Sequence, residues 1–316
     1  MPDSPLVALS AQVIREGSKS FALASLLFSP GRREAAALLY HWCRTCDDAV
    51  DRAATPEERH ARVDELVRLT RLACETGPGE EASLPPAFEA LRAVVLQYGV
   101  PMRYALDLLE AMRADAEGRR YRTFPELVHY CYGAAGTVGL MMAHVMGVSD
   151  ERALRHAMDL GISMQLVNIS RDVAEDVGLG RVYLPLEWLR EAGVPVERGD
   201  RELLEPANRE AVFGVVLRLI READAYRASG EAGIRFLSFR SALAVRAASR
   251  VYWEIARRVE RGGPSAIGRR AVVPLATKLL LSAGAIAAGL LRLPARLLSP
   301  WKAAPIRGIF LFGDPS

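Results

Sequence analysis

One stretch of the sequence, residues 165–176, places amides and carboxylates at intervals of three or four residues. On a helix such intervals put side chains on one face. The resulting polar stripe consists of Gln165, Asn168, Asp172 and Asp176. A solvated helix face has the same pattern, but the small and apolar residues 161–164 that precede the stripe indicate an inner helix. Buried carboxylates need a countercharge, and a divalent cation such as Mg²⁺, completed by waters and phosphate oxygens, is the usual one.

A second stretch, residues 40–51, repeats this arrangement. The residues that share a helix face there are Tyr40, Arg44, Asp47 and Asp51, with Asp48 beside them. Each aspartate pair has an arginine close by in the sequence, Arg44 in one stretch and Arg171 in the other. Carboxylate-bound metal together with guanidinium groups forms a site for a polyanion, so the two stretches predict diphosphate binding.

Five short motifs occur in an order and spacing that point to one family. They are residues 18–21 (SKSF), 40–51, 130–139 (YCYGAAGTVG), 165–176 and 180–185 (GRVYLP). With these motifs the chain resembles the squalene/phytoene synthase family, and most closely its bacterial phytoene-forming members. The resemblance covers residues 10–290, approximately, and its motifs are more specific for the family than for the substrate.

The resemblance implies an all-α fold, the isoprenoid-synthase helical bundle around a central cavity. The two acidic helices would face each other at the mouth of the cavity and hold Mg²⁺ or Mn²⁺. The implied activity is that of a prenyltransferase that joins two molecules of geranylgeranyl diphosphate head to head. The reaction would pass through a cyclopropylcarbinyl diphosphate, prephytoene diphosphate, to phytoene, in carotenoid biosynthesis.

The resemblance also assigns roles to individual residues. The metal ligands would be Asp47, Asp51, Asn168, Asp172 and Asp176. The groups that bind substrate would be Lys19, Arg44, Gln165, Asn168, Arg171 and Arg181. Tyr40 and Tyr130 match tyrosines near the reacting carbons, where an aromatic face stabilises a cation, and they join the four aspartates in the predicted catalytic set. Tyr252 and Arg270 match family positions less closely.

The composition argues against a nucleic-acid-binding protein and against a disulfide-bonded secreted protein. Lys+Arg number 41 against 38 Asp+Glu, a net charge of +3, and no basic block alternates with aromatic residues, which argues against a nucleic-acid partner. Four cysteines make no disulfide framework, and the first residues lack the pattern of a secretory signal, so the expected location is the cytoplasm. Cys43 and Cys46 have the spacing of a zinc or redox pair, but they lie in a predicted helix without a second pair.

Helix signals dominate the chain, which is predicted to be a single domain over 1–316. The predicted helices are 6–16, 31–54, one starting at 55, 86–98, 101–116, 123–146, 150–160, 161–177, 186–192, 208–229, 231–238 and 240–261. Residues 279–291 are uncharged but too short to cross a bilayer, which predicts a core helix. The alternative is peripheral contact with the inner membrane surface. An irregular tail is expected from about 294 to 316, and nothing in the sequence indicates the oligomeric state.

Three other functions share part of this pattern. Dehydrosqualene, presqualene diphosphate and squalene synthases have the same motifs but act on farnesyl diphosphate. Head-to-tail prenyl elongases carry a DDxxD motif on both acidic helices, whereas the second stretch here reads Asp172-x-x-Glu175-Asp176. A non-catalytic helical assembly or lipid-binding relative would lose acidic residues, and both pairs are intact.

Overall fold

The computed structural model describes residues 4–77 and 83–291 of the chain, and those residues contain α-helices and no β-strand. The helices are α1 (Pro5–Gly17), α2 (Lys19–Ser25), α3 (Pro30–Asp51), α4 (Pro56–Glu75), α5 (Pro86–Tyr98), α6 (Met102–Ala116), α7 (Phe124–Cys131), α8 (Thr137–Val145), α9 (Glu151–Gly178), α10 (Leu186–Glu191), α11 (Arg209–Gly233), α12 (Phe239–Gly262) and α13 (Leu275–Leu291). The predicted all-α fold is therefore confirmed.

Helix starts follow the capping signals in the sequence. Thr55 precedes α4, and its side chain accepts a hydrogen bond from the backbone N–H of Glu58 at 3.2 Å. The carboxylate of Glu58 accepts in turn from the backbone N–H of Ala54 at 3.0 Å. Thr123 caps α7 in the same way. These bonds satisfy backbone donors that the first helical turn leaves unpaired.

The long helix α9 lies at the centre of the bundle. It packs along α11 over much of its length and also contacts α8 and α12. Small residues allow the close approach of α8 and of the residues just before it: a Cβ atom at Gly139 of α8 would overlap the carbonyl oxygen of Ala157, and one at Gly161 of α9 would overlap that of Ala135. The glycines therefore serve close helix packing, which fixes α9 against its neighbours.

Two helices differ from the predicted outline around the motifs. The predicted helix 123–146 is divided by a π-helical turn, Tyr132–Gly136, between α7 and α8. Turns of this kind interrupt the regular hydrogen-bond ladder and are frequent at functional sites. The two helices predicted at 150–160 and 161–177 form one helix, α9, whose backbone departs from helical geometry at Asp172 (φ −104°, ψ 15°).

The helix α13 is not the core helix that the sequence predicted. Among its described side chains only Ala285 is buried, while Leu275, Leu280 and Leu291 are largely exposed. No helix in residues 4–77 and 83–291 is long and apolar enough to span a bilayer. The tail predicted from about 294 lies outside the described residues, as does part of the predicted loop at 77–86. The single-domain assignment stays a prediction.

Candidate active site

The polar stripe of α9 continues towards the start of the helix as an apolar stripe. The residues on this face that line a cavity are Ala153, Ala157, Leu160, Gly161, Met164, Gln165 and Asn168. At 1.5 Å per residue, the distance from Ala153 to Asn168 is about 22 Å. One helix face therefore runs from small apolar side chains, through two amides, to the carboxylates Asp172 and Asp176.

The cavity along this face has a volume of about 370 Å³ and an apolar lining. Its other walls come from α1, α2, α3, α8, α11 and α12. Small side chains leave the space open at the end far from the carboxylates, where Ala36, Ala153 and Ala244 are buried. Such a shape suits a long hydrophobic chain rather than a compact polar ligand.

Aromatic rings surround the point where this cavity meets a second, more polar one. Phe21, Tyr40 and Tyr252 line both cavities. The ring of Phe21 lies 5.5 Å from that of Tyr252 and 6.4 Å from that of Tyr40, centroid to centroid. We call these three residues the aromatic collar. Ring faces at this position attract positive charge without offering a nucleophile of high basicity.

The second cavity, of about 480 Å³, forms the mouth of the site. Its charged lining residues are Arg44, Asp47, Arg171, Arg270 and Lys278. Four of these five groups are cationic. Lys19 lies close to Lys278, whose pKa is lowered by burial and by the charge of Lys19. An excess of cations beside a carboxylate suits a polyanionic head group such as a diphosphate.

The first aspartate pair, on α3, is held by arginines. Arg44 contacts Asp47 at 3.4 Å and Asp48 at 2.5 Å. Asp48 also pairs with Arg52 at 2.9 Å, so its charge is already compensated by two cations. Asp51 pairs with Arg181 at 2.8 Å. The side chain of Asp47 is half exposed towards the mouth.

The second pair, on α9, is more buried. The side chain of Asp172 is only 13% exposed and pairs with the guanidinium of its neighbour Arg171, which donates from Nε at 2.7 Å and also from Nη2. Arg270 contacts the same carboxylate at 3.2 Å and Glu175 at 2.8 Å. The non-helical backbone of Asp172 lies in a sparsely populated region that often occurs at functional residues.

Arg181 connects the two acidic helices. Its side chain binds Asp51 of α3, and its backbone N–H donates to the carbonyl of Asp176 in α9 at 2.8 Å. Behind it, Tyr130 and Tyr183 both donate to the carboxylate of Asp115, at 2.9 and 2.7 Å. Tyr130 does not line either cavity; its ring stacks on that of Tyr183 at 4.9 Å.

Three carboxyl groups in this region have raised pKa values. Burial and the charge of Asp172 raise the pKa of Asp176 to about 7. Burial raises the pKa of Asp115 to about 6, against the opposing effect of Arg181. Burial and the charge of Asp51 raise the pKa of Asp47. A carboxyl whose proton is held this tightly is one that a bound cation would stabilise in its ionised form.

The donor set fits a hard divalent cation. Asp47, Asp51, Asp172 and Asp176 supply carboxylate oxygens, and the buried Oδ1 of Asn168 has no hydrogen-bond partner in the described part of the chain. Oxygen ligands of these kinds are the ones that Mg²⁺ and Mn²⁺ take. Within residues 4–77 and 83–291 no three His, Cys, Asp or Glu side chains form a ready-made cluster, and Asp51 and Asp172 are paired with arginines.

The structure thus divides the predicted site residues into three groups. Tyr40, Gln165 and Asn168 lie along the cavity and its collar. Arg44, Asp47 and Arg171 line the mouth, with Lys19 and Asp172 beside them. Asp51, Asp176, Arg181 and Tyr130 lie around Asp115 behind the mouth. Cys43 and Cys46 are free thiols, and burial raises the pKa of both.

Three further residues belong to this region although none is in the predicted set. They are Asp115, Tyr183 and Lys278. Each of them carries a signal in the sequence: Asp115 follows Leu108 and Ala111 at helical spacing, and Lys278 is the single charge in residues 271–291. A charge on an otherwise apolar face indicates either a paired buried group or a ligand contact. Tyr183 lies within the 180–185 motif.

Comparison with known proteins agrees with this geometry. A family model described as squalene/phytoene synthase matches residues 14–277. The chain belongs to the squalene/phytoene synthase family. It is 43% identical over 279 residues to a phytoene synthase of Pseudescherichia vulneris, covering 85% of this chain and 87% of that protein. It is 40% identical over 294 residues to a 15-cis-phytoene synthase of a Paracoccus strain, covering 92% and 94%.

A solved structure supports the same family fold. The crystal structure of a dehydrosqualene synthase in complex with a ligand superposes with a TM-score of 0.79 at 26% identity, covering 90% of this chain and 96% of that one. The isoprenoid-synthase bundle predicted from the motifs is therefore confirmed. These similar proteins include phytoene synthases and a dehydrosqualene synthase, so the cavity has to distinguish the two substrates.

Proposed function

We propose that this chain is a phytoene synthase, a prenyltransferase that condenses two geranylgeranyl diphosphates head to head. The product would be phytoene, formed through a cyclopropylcarbinyl diphosphate, for carotenoid biosynthesis. The observation that carries the proposal is the continuity of one site: an apolar cavity, an aromatic collar and a cationic mouth with carboxylates follow one another. Two amphiphilic substrates with anionic heads would occupy it with their heads at the mouth.

The mouth would neutralise the leaving diphosphate. Mg²⁺ or Mn²⁺, held by Asp47, Asp51, Asn168, Asp172 and Asp176, would supply electrostatic stabilisation of its negative charge. Arg44 and Arg171 would add paired donors that match phosphate oxygens, and Lys19 and Lys278 would add point charges. Arg181 and Gln165 complete the predicted substrate-binding set, Arg181 from behind the mouth and Gln165 from the cavity wall.

The cavity would protect the carbocation that remains. Its lining excludes water because few polar side chains reach it. Tyr40, Phe21 and Tyr252 would face the positive charge with their rings, at the junction where the diphosphate departs. Tyr130 would act from behind the mouth, through the carboxylate of Asp115, rather than from the cavity wall.

Cavity length favours the longer of the two candidate substrates. The cavity-lining face of α9 extends about 22 Å from Asn168 to Ala153, and small side chains of other helices, Ala24, Ser25 and Ala36, also line the cavity. A geranylgeranyl chain would use this depth, whereas a farnesyl chain would leave the far end unfilled. The likeness to a dehydrosqualene synthase keeps the farnesyl reaction as the second candidate.

The test is incubation of the purified chain with Mg²⁺ and either geranylgeranyl or farnesyl diphosphate, followed by product mass. We expect a forty-carbon hydrocarbon from geranylgeranyl diphosphate and little product from farnesyl diphosphate. A thirty-carbon hydrocarbon as the main product would mean that the chain condenses farnesyl diphosphate instead. Parallel reactions with NADPH would show whether a reductant changes the product, as it does for a squalene-forming enzyme. Absence of any hydrocarbon would overturn the proposal.

A further inference from the structure

The point where the apolar cavity meets the mouth, which we call the junction, has further walls besides the aromatic collar. The other residues that line both cavities are Cys43, Ala134, Val138 and Asn168. Ala134 lies in the π-helical turn Tyr132–Gly136, and Val138 follows four residues later, in α8. The π-helical turn and the start of α8 therefore bound the space in which, under the proposed function, the prenyl cation would form.

The π-helical turn is packed closely between two helices. On one side, a Cβ atom at Gly133 would lie 2.8 Å from the Cβ atom of Ala111 and 2.9 Å from the carbonyl oxygen of Asp107, both in α6. On the other side, the carbonyl oxygen of Ala135 would overlap a Cβ atom at Gly161 of α9. Because backbone lies against the turn on both sides, the way the turn is fixed to these helices decides where the wall of the junction stands.

A hydrogen bond between two side chains joins the start of this turn to α6. The hydroxyl of the buried Tyr132 donates to Oδ2 of Asp107 at 2.6 Å, a short bond of the charge-assisted kind. Burial, and then this bond to Asp107, raise the pKa of Tyr132, so the hydroxyl keeps its proton and remains the donor. At the other end of the turn, the backbone N–H of Thr137 donates to the carbonyl of Tyr132, and the Thr137 hydroxyl donates to that of Gly133 at 2.7 Å.

The helix α6 also supplies part of the wall of the mouth. Leu108 and Met112 line the mouth. Each of them directly follows a residue against which the π-helical turn packs, Asp107 in one case and Ala111 in the other. The bond from Tyr132 to Asp107 thus connects two neighbouring parts of the site, α6 at the mouth and the π-helical turn at the junction.

We propose that Tyr132 is a positioning residue for the condensation: its hydrogen bond to Asp107 fixes the π-helical turn so that Ala134 and Val138 close the junction against water. A prenyl cation that meets water forms a carbon–oxygen bond, loses a proton to solvent and ends as an alcohol, so the exclusion of water decides how much substrate reaches the hydrocarbon. Tyr132 lines neither cavity and therefore acts through the turn. The effect on products rests on the proposed function, whereas the hold on the turn rests on the geometry alone.

The variant Tyr132→Phe removes the hydroxyl and keeps the ring. With geranylgeranyl diphosphate and Mg²⁺ in heavy-oxygen water, its ratio of labelled terpenoid alcohols to phytoene should rise about tenfold, the factor expected for loss of one charge-assisted hydrogen bond. The KM for the diphosphate should change less than about twofold, because the groups of the mouth are untouched. Tyr104→Phe is the matched control, since that hydroxyl accepts from Arg103 of the same helix at 3.2 Å, and it should give the wild-type product ratio.

Changes at Asp107 separate loss of this hydrogen bond from general damage to the fold. Asp107→Asn keeps an oxygen that accepts from Tyr132 and should give the wild-type product ratio. Asp107→Leu removes the acceptor and should raise the share of alcohols as Tyr132→Phe does. The double variant should be little worse than either single one, because both changes remove the same bond. A wild-type product ratio in Tyr132→Phe, or fully additive effects in the double variant, would overturn the proposal.

Amide hydrogen exchange tests the hold on the turn without any turnover. In Tyr132→Phe the amides of residues 133–138 should exchange about tenfold faster than in the wild type, while those of α12 keep their rates. If exchange changes in this way but the wild type forms no hydrocarbon, the proposed function fails and the role of the bond in fixing the turn stands. Unchanged exchange over residues 133–138, or an equal rise along the whole chain, would refute that role.

Discussion

Replacing Asp115 with asparagine should change how the stability of the protein depends on pH. The carboxylate of Asp115 accepts hydrogen bonds from Tyr130 and Tyr183 and faces Arg181, with Asp51 nearby. Burial raises its pKa to about 6; the cation and the two hydrogen bonds oppose that shift, and the charge of Asp51 adds to it. The native state therefore holds this proton more tightly than the unfolded chain does.

The sign and size of the effect follow from this difference in pKa. Because the native state binds more protons between pH 4 and pH 6, approximately, the free energy of unfolding falls as pH rises through that window and is then constant. From an ordinary pKa near 3.8 to about 6, the loss for Asp115 is about 3 kcal/mol, of which about 2 kcal/mol falls between pH 4.5 and pH 7.5. Asparagine cannot ionise, so the variant should lack this loss.

Urea unfolding of the wild type and Asp115→Asn at about pH 4.5 and about pH 7.5 measures the change. At the lower pH the variant should be the less stable, by about 1 kcal/mol, because one hydrogen bond of the tyrosine cluster is weakened. Relative to the wild type it should gain about 2 kcal/mol at the higher pH. Asp64→Asn, which removes a surface carboxylate paired with Arg113, controls for the loss of a charge. A stability difference that is the same at both pH values would refute the buried-carboxylate account.

Further predictions concern the mouth and the cavity. Asp172→Asn should lower turnover by about 10³-fold or more, as should exhaustive removal of divalent metal with EDTA, and full activity after either treatment would exclude the metal assignment. Arg171→Ala should keep the fold, since Arg270 still pairs with Asp172, but slow diphosphate release; wild-type turnover at an unchanged melting temperature would refute this. Lys278→Ala should raise KM for the diphosphate about tenfold, with kcat less affected, as a steady-state assay would show. Ala157→Phe should shift preference towards farnesyl diphosphate; an unchanged substrate ratio in a competition assay would contradict the assigned depth.

The helix starts and the placement of the aspartate pairs could be predicted from the sequence because capping residues and helical spacing are local features. Thr55 and Thr123 cap their helices through the residues that the sequence marks, and the two aspartate stretches lie on α3 and α9 as their spacing requires. Helical spacing is a property of the segment itself, so the polar stripe from Gln165 to Asp176 could be recognised without the fold.

The remaining features depend on how distant segments pack. At the π-helical turn Tyr132–Gly136, Gly133 lies against Asp107 and Ala111 of α6, a contact between separate helices that local helix signals do not predict. The uncharged stretch of α13 predicted a core helix, yet several of its leucines are exposed. Burial depends on whether other segments of the chain cover the helix, which its own sequence does not specify. Asp115 joins the site through contacts with Tyr130 and Tyr183 and through the charge of Arg181, which later segments of the chain supply.

We propose that two prenyl diphosphates react head to head in one cavity, with Asp47 in its mouth and Asp51, Asp172 and Asp176 beside or behind that mouth. The most direct test counts inorganic diphosphate and hydrocarbon in the same reaction of purified protein with geranylgeranyl diphosphate and Mg²⁺. Head-to-head condensation predicts two diphosphates released for each phytoene formed. Release of a single diphosphate for each condensation, with a longer prenyl diphosphate as the product, would mean head-to-tail elongation and would contradict the account.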